Sequence, residues 1–262
     1  MGLRINQNID AVNSYRNLSV TQGQMSKSLE KLSSGFRINR AADDAAGLAI
    51  SEGLRSQVGG LKVGVRNAQD GISVVQTAEG ALTEVHSMLQ RMNDLSVQHA
   101  NGTQNTDSKA ALAAEFDQLQ SEITRITDNT KFNGVSLFAG ADMKFQVGGD
   151  AADAITVTGA DALKAVDTSA AVITDSTTVK TAIGAISTQR ASLGAFQNRF
   201  EHTINSTNVA IENLSASESR IRDTDMAQEM MSFTRSQILS QAGTAMLAQA
   251  NQASQGVLSL LR

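Results

Sequence analysis

The side chains that could do chemistry are few and are poorly placed for it. The three histidines, at 86, 99 and 202, have no second histidine or carboxylate at the spacing of a metal site, and no H-E-x-x-H motif occurs. Asp43 and Asp44 are adjacent, and such a pair before a helical pattern is typical of helix caps rather than of an acid–base pair. The sequence therefore predicts no enzyme, no metal and no cofactor.

Composition excludes further classes of protein. The chain has no cysteine, which removes disulfides, thiolate metal sites and cysteine nucleophiles. The 22 Lys and Arg residues are scattered along the chain, and the net charge of -4 argues against a nucleic-acid partner. With 3% aromatic residues and no proline, the chain has little material for a thick core, so we expect many thin contacts between helices.

Apolar residues recur at intervals of three and four along most of the chain, which predicts helices. Five helical segments are expected, at about residues 5–34, 44–98, 107–129, 179–216 and 226–261. The period changes after the third segment, where short runs with β-branched residues predict a small hairpin or a three-stranded patch, at 132–138, 144–147 and 155–158. Residues 159–178 show no period and indicate an exposed connector.

The C-terminal segment is unusual because Ser236 to Leu261 carry no charge and include five glutamines. Those glutamines make placement in a bilayer costly, so we expect no membrane anchor. Gly243 and Gly256 each cost roughly 1 kcal/mol of helix propensity relative to alanine. This helix should therefore become ordered only when partners surround it. Its apolar stripe consists of Leu239, Ala242, Met246, Ala250, Ala253, Val257 and Leu260.

The order of the segments predicts a mainly α fold, an elongated helical hairpin or coiled-coil rod whose two terminal helices pair as a coiled coil. A small β-hairpin patch would lie at its tip. The predicted divisions are a terminal-helix domain of residues 1–36 with 226–262, connecting spokes of 37–44 with 217–225, a rod of 45–138 with 179–216, and a short β-hairpin with an exposed connector at 139–178.

Both ends of the chain resemble the signatures of a known family. The runs LSSGFRIN at 32–39 and AADDAAGLAI at 41–50 are similar to the N-terminal signature of bacterial flagellin. The run SRIRDTDMAQE at 219–229, followed by AMLAQAN at 245–251, resembles the C-terminal signature. The resemblance covers about residues 1–138 and 180–262, and it leaves no room for large outer domains.

The resemblance implies a structural subunit that self-assembles into the filament of the bacterial flagellum. Terminal helices would form an inner tube around a channel, and the rod would form an outer tube. Export through the flagellar type III apparatus would place the chain outside the cell, with an export chaperone and the cap and junction proteins as further partners. The N-terminal apolar residues of the inner tube would be Ile5, Ile9, Val12, Leu18, Met25, Leu29 and Leu32, which would act together with the C-terminal stripe.

The resemblance also implies recognition by the innate immune receptor for flagellin. The matching positions on the rod are Gln90, Arg91, Leu95 and Glu115. The alternative role for these residues is contact between the rods of neighbouring subunits. Asn93 and Asp94 depart from the Arg-Glu pair of stimulatory family members, so activation of the receptor is left open.

Two other functions remain open at the level of sequence. A hook–filament junction protein has similar end helices and the same export route. A free coiled-coil interaction module would explain the helical periodicity, but it would not explain the paired signatures at the two ends of the chain.

Overall fold

The structure of the chain is a computed structural model that describes residues 8–159, 162–164 and 171–260, with side chains as far as residue 252. Helices dominate the part of the chain described, so the prediction of a mainly α fold is confirmed. The helices are α1 (Ile9–Ser34), α2 (Ala45–His99), α3 (Thr106–Asn129), α4 (Ser176–Arg222) and α5 (Met226–Leu260). The short strands are β1 (Lys131–Phe132), β2 (Val135–Ser136), β3 (Met143–Gln146) and β4 (Ala154–Val157).

Helix boundaries follow from local chemistry. The Asp44 carboxylate accepts a hydrogen bond from the backbone N–H of Gly47 at 2.8 Å, so Asp44 caps the start of α2 as the sequence predicts. Asn105 caps α3 in the same way, through Ser108 N–H at 2.7 Å. At the end of α1, Gly35 takes the left-handed conformation with φ 76 and its N–H donates to the last turn, which is a common way to end a helix.

The fourth helix is longer than the sequence analysis predicted. It continues to Arg222, whereas its expected end was near Ala216. Residues 217–222 contain neither glycine nor proline, and Arg220 and Arg222 stand in the last turn, where positive charge interacts favourably with the helix dipole. The break before α5 therefore shrinks to residues 223–225.

The strands form two separate two-stranded antiparallel sheets, so the hairpin prediction is confirmed and the three-stranded alternative is wrong for the described residues. Asn133 and Gly134 connect β1 to β2 with positive φ angles of 48 and 82, which is the conformation of a tight hairpin turn. The second hairpin pairs β3 with β4 in a register that places Phe145 opposite Ile155.

The chain divides into two compact units, residues 1–56 with 214–262 and residues 57–213. In the second unit, α2 contributes a continuous row of buried apolar side chains to a core shared with α3 and α4. The row on α2 includes Val75, Ala78, Leu82, Val85, Leu89 and Met92, and the largest contributions from the other helices are Phe116, Ile123, Ile186, Leu193 and Phe200.

Two glycines of α2 allow close packing in this second unit. A Cβ at Gly64 would lie 2.3 Å from the carbonyl oxygen of Val147, and a Cβ at Gly71 would lie 2.7 Å from the ring of Phe200. The Phe200 ring also makes an edge-to-face contact with Phe145, with centroids 5.4 Å apart. Small residues on α2 therefore let the second hairpin and α4 approach its backbone.

Part of the predicted exposed connector is buried. Ala162 and Leu163 are fully buried in the core of the second unit. Lys164 pairs with Ala139 in an isolated β-bridge, and its carbonyl oxygen accepts a hydrogen bond from Gln189 at 3.2 Å. The prediction of an exposed segment is wrong here because a short apolar pair covers the core, which a search for periodicity does not detect.

None of the helices in the described part of the chain combines the length and the hydropathy that crossing a bilayer requires.

Candidate self-assembly surface

The helices nearest the two ends of the chain, α1 and α5, pack against each other in antiparallel orientation. Asn8 donates a side-chain hydrogen bond to the carbonyl oxygen of Ala250 at 2.9 Å. At the other end of the pair, the ammonium group of Lys31 lies 3.8 Å from the carboxylate of Glu229. The predicted pairing of the terminal helices as a coiled coil is therefore confirmed.

The contact between these two helices follows a heptad on both sides, and we call it the terminal seam. Its shielded positions alternate at intervals of three and four, as in a coiled coil. On α1 they are Ala11, Ser14, Leu18, Thr21, Met25, Ser28 and Leu32. On α5 they are Glu229, Phe233, Ser236, Ser240, Gly243, Leu247 and Ala250.

Small side chains let the two backbones approach closely in the terminal seam. A Cβ at Gly243 would lie 3.3 Å from the nearest carbon of Leu18, and Ser28 and Ser236 are both buried. Because hydrophobic stabilisation grows with the apolar area removed from water, a seam rich in Ser, Ala and Gly contributes little per residue. The terminal pair therefore has close contacts and a thin apolar interior.

Large apolar side chains lie on the outer faces of the same two helices, and we call them the outer apolar face. Each is between 48% and 67% exposed. They are Ile9, Val12, Tyr15, Val20 and Leu29 on α1 and Met226, Met230, Met231, Ile238, Leu239 and Met246 on α5. Four of them, Met230, Met231, Ile238 and Leu239, lie together along one groove, and grouped exposed apolar side chains of this kind indicate an interaction site. The two helices thus have an inner face that is already paired and an outer face that is not.

The assembly residues predicted from sequence are divided between these two faces. Four of them lie in the terminal seam, namely Leu18, Met25, Leu32 and Ala250. Six are exposed, namely Ile9, Val12, Leu29, Leu239, Ala242 and Met246. Ile5 lies outside the described residues, as do the side chains of Ala253, Val257 and Leu260. The serines and Gly243 of the seam were missed because the search followed apolar residues alone, although the heptad of small residues is visible in the sequence.

A short pairing joins the residues that follow α1 to the residues that precede α5, and we call it the junction. The N–H of Arg37 donates to the carbonyl oxygen of Arg222 at 2.7 Å, and the N–H of Thr224 donates to the carbonyl oxygen of Gly35 at 2.9 Å. Phe36 and Asp223 form the β-bridge between these two bonds. The segment after α1 is thereby held against the segment that links α4 to α5.

The side chain of Arg222 reinforces the junction from two directions. Its guanidinium donates to the carboxylate of Glu52 at 2.8 Å and lies 4.7 Å above the ring of Phe36. Arg37 makes a corresponding contact in the other direction, donating to the carbonyl oxygen of Ile221 at 2.8 Å. A guanidinium over an aromatic ring and a charged hydrogen bond are both stabilising. Arg37 near the N-terminal end and Arg222 near the C-terminal end therefore both have structural roles in the junction.

Asp43 and Asp44 play two different structural roles. Whereas Asp44 caps α2, the Asp43 carboxylate accepts hydrogen bonds from the N–H groups of Arg40 at 3.0 Å and Asn39 at 3.3 Å. The hydrogen bond from Arg40 is the main cause that lowers the pKa of Asp43 below its usual value. Across the described residues, acidic and histidine side chains form no group of three that could hold a metal ion.

On the rod, three of the four predicted receptor-contact residues are exposed. Arg91 donates to the carboxylate of Glu115 at 2.7 Å, and this bond raises the pKa of Arg91. Gln90 is exposed beside them on α2 and lies 3.0 Å from the ring of His86. Leu95 is fully buried in the core, so it is not available for direct contact and its place among the contact residues needs correction.

The paired helices α1 and α5 with large exposed apolar side chains, and a helical core in the second unit, are features of a structural protein. The N-terminal helical region of bacterial flagellin matches residues 5–143, and the flagellin C-terminal helical region matches residues 176–261. The chain belongs to the bacterial flagellin family, and it is a structural subunit of the flagellar filament.

Individual relatives match along almost their whole length. A flagellin of Halalkalibacterium halodurans is 54% identical, with 98% of this chain and 99% of the relative covered. A flagellin of Bacillus subtilis is 48% identical, with 99% and 100% covered. A flagellar filament 33 kDa core protein of Treponema phagedenis is 45% identical, with 98% and 99% covered. These matches give no support to a hook–filament junction protein or to a free coiled-coil module.

Proposed function

We propose that this subunit builds the flagellar filament by folding coupled to assembly. The observation that carries the proposal is the outer apolar face of α1 and α5, which the subunit by itself leaves in water. Neighbouring copies of the chain supply the missing cover. In this proposal residues 1–36 with 226–262 form the inner part of the filament, and residues 45–138 with 179–216 form the outer rod.

Energetics favour partial disorder of the terminal pair in the free subunit. Ordering a backbone residue costs roughly 1 to 2 kcal/mol, and the thin terminal seam offsets little of that cost. Burial of a large apolar side chain contributes roughly 1.5 to 3 kcal/mol. Burying the exposed halves of the side chains in the outer apolar face would therefore contribute on the order of 10 kcal/mol of favourable free energy. That contribution is gained only on assembly.

Hydrogen exchange before and after polymerisation tests this proposal. We expect the amides of residues 236–260 to exchange rapidly in the free subunit and to become strongly protected in the polymer. Amides of α2 around Leu82 and Val85 are the internal control, because these residues lie in the core of the second unit and should be protected in both states. Strong protection of residues 236–260 in the free subunit would contradict folding on assembly.

We further propose export of the unfolded chain through the flagellar type III apparatus, with an export chaperone and the cap and junction proteins as partners outside the homopolymer. Membership of the flagellin family supports this route. The test is the amount of subunit in the culture medium of cells with and without a working flagellar export apparatus. Equal amounts in the two cultures would contradict the route.

A second proposal concerns the innate immune receptor for flagellin, with Gln90, Arg91 and Glu115 as the contact residues. It is supported by their exposure side by side on α2 and α3, where Arg91 and Glu115 form an ion pair. Leu95 would act only indirectly, by packing beneath this surface. The alternative role of these residues is contact between neighbouring rods in the filament.

A reporter-cell assay with Arg91→Ala tests the receptor proposal. We expect a reduced response, because the substitution removes the charged group that Glu115 holds in place. Arg125→Ala is the matched control, since Arg125 is also exposed on the rod and pairs with Glu122. An unchanged response to Arg91→Ala would remove this residue from the contact site, and polymerisation of the same variant reports its role between subunits.

A further inference from the structure

Among the side chains that the structure describes, the exposed methionines are concentrated on one helix. The chain has nine methionines, and among the side chains that the structure describes those at least 48% exposed are Met226, Met230, Met231 and Met246, all on α5. The other described methionines, at 25, 88, 92 and 143, are half-buried or buried. Oxidant dissolved in water therefore reaches the thioethers of α5 more readily than the thioethers of Met25, Met88, Met92 and Met143.

These methionines belong to the outer apolar face. Met230 and Met231 line a shallow apolar groove on α5 together with Ile238 and Leu239, and Thr234 and Arg235 complete its lining. Methionine suits such a face because its flexible thioether adapts to the surface that packs on it. In the proposed function that surface is a second copy of this chain, since filament growth covers the outer apolar face.

We propose that these four methionines make self-assembly sensitive to oxidation. Peroxide acting on the free subunit blocks polymerisation, while packing in the filament protects the same sulfur atoms. The inference rests on the proposed function, in which the outer apolar face is buried between subunits.

The chemistry is an oxygen-atom transfer. The Sδ lone pair of methionine attacks one oxygen of hydrogen peroxide, the O–O bond breaks, a sulfur–oxygen bond forms and water leaves. Sulfur loses two electrons and the peroxide gains them, so the products are one methionine sulfoxide and one water. The side chain changes from apolar to strongly hydrogen-bond accepting, without any change in formal charge.

The effect on assembly follows from burial. In the free subunit water hydrates the sulfoxide oxygen. Oxidation there does not leave a polar group buried without a hydrogen bond. In the filament the same oxygen must enter an apolar contact, where the loss of its hydration costs free energy. We therefore expect oxidation of the four residues to raise the critical concentration for polymerisation by roughly tenfold or more.

The experiment compares free subunit and preformed filament, each treated with hydrogen peroxide. Peptide mass spectrometry locates the added oxygen, and sedimentation measures the critical concentration. The expected result is oxidation of the α5 methionines and loss of polymer for the treated subunit, with slower oxidation of these residues in the filament. Reduction of the treated subunit by the two methionine sulfoxide reductases should restore polymerisation.

Variants assign the effect to particular residues. A variant carrying Met226→Leu, Met230→Leu, Met231→Leu and Met246→Leu is compared with its own untreated sample, so an effect of the substitutions themselves cancels. Its treated and untreated critical concentrations should agree. The matched control carries Met88→Leu and Met143→Leu, retains the α5 thioethers, and should remain as sensitive as the natural chain.

Three outcomes would overturn the inference. The first is a subunit with sulfoxide at all four positions that polymerises like the untreated protein. The second is inhibition by peroxide of the fourfold leucine variant to the same extent as the natural chain. The third is failure of the reductases to restore assembly of the treated natural chain, and this measurement needs no variant. Absence of polymer from the untreated subunit would instead overturn the proposed function and this inference with it.

Discussion

Arg222 shows how one residue of an end signature holds two distant segments of the chain together. Its carbonyl oxygen accepts from Arg37, its guanidinium binds Glu52, and it lies over the ring of Phe36. Its side chain is only 16% exposed, so solvent weakens these interactions less than it weakens a fully exposed ion pair. The residue therefore stabilises the junction through its backbone and its side chain.

We predict that Arg222→Ala loosens the junction by about 1 to 2 kcal/mol, because it removes both the bond to Glu52 and the contact with Phe36. Hydrogen exchange at the amides of Arg37 and Thr224, which donate across the junction, should accelerate by roughly tenfold. The matched control is Arg55→Ala, since Arg55 also faces Glu52, at 3.9 Å, with an exposed side chain. Equal effects of the two substitutions would contradict the role of Arg222.

At the scale of the element, the terminal seam depends on small residues rather than on large apolar ones. Ser236 and Gly243 lie where a typical coiled coil carries leucine. Gly243 lets α5 approach Leu18 closely. Close backbone approach and a thin apolar interior together explain why α1 and α5 leave their large side chains on the outside. The helices are paired, yet large apolar side chains on both of them remain exposed in the subunit.

Gly243→Leu should separate the two helices, because the new side chain meets Leu18 within the seam. We expect the critical concentration for polymerisation to rise by about 5- to 150-fold, measured by sedimentation, since overpacking costs roughly 1 to 3 kcal/mol. Gly23→Leu is the matched control, as no atom lies within 4 Å of a Cβ at Gly23 in the subunit. An equal rise in critical concentration for Gly243→Leu and Gly23→Leu would show that the effect does not arise in the terminal seam.

At the scale of the whole molecule, the two compact units depend on different contacts. The described residues of the buried cluster in the second unit lie between Ala68 and Phe200, and none of the described side chains of α5 belongs to it. The first unit contains the terminal pair and the junction. Stability of the rod core and competence for assembly are therefore separable properties of this chain.

Deletion of Ser236 to Arg262 should abolish polymer and leave the second unit folded. The reason is that the deleted residues supply most of the α5 side of the terminal seam and part of the outer apolar face, whereas the buried cluster around Leu82 keeps all its members. Circular dichroism and thermal unfolding report the fold, and electron microscopy reports filaments. Normal filaments from the truncated chain, or an unfolded rod, would each contradict this separation.

Local chemistry explains which parts of the structure the sequence could predict. The apolar row from Val75 to Met92 predicted α2, and Asp44 marked its start, because periodicity and capping act over a few neighbouring residues. The end of α4 was placed too early, since the charged run after Ala216 looked like a break while a helix accommodates it. Burial of Ala162 and Leu163 could not be predicted, because it depends on a core built from distant segments.

By itself the sequence determined the mainly α class, the positions of the helices, the uncharged C-terminal segment and, through its end signatures, the flagellin family. Only the tertiary structure decided which face of each terminal helix is paired and which is left in water. The physical reason is that apolar spacing shows that a helix has a face to bury and does not show what will bury it. In this chain serines and Gly243 lie in the seam, while Leu239 and Met246 stay exposed in the subunit.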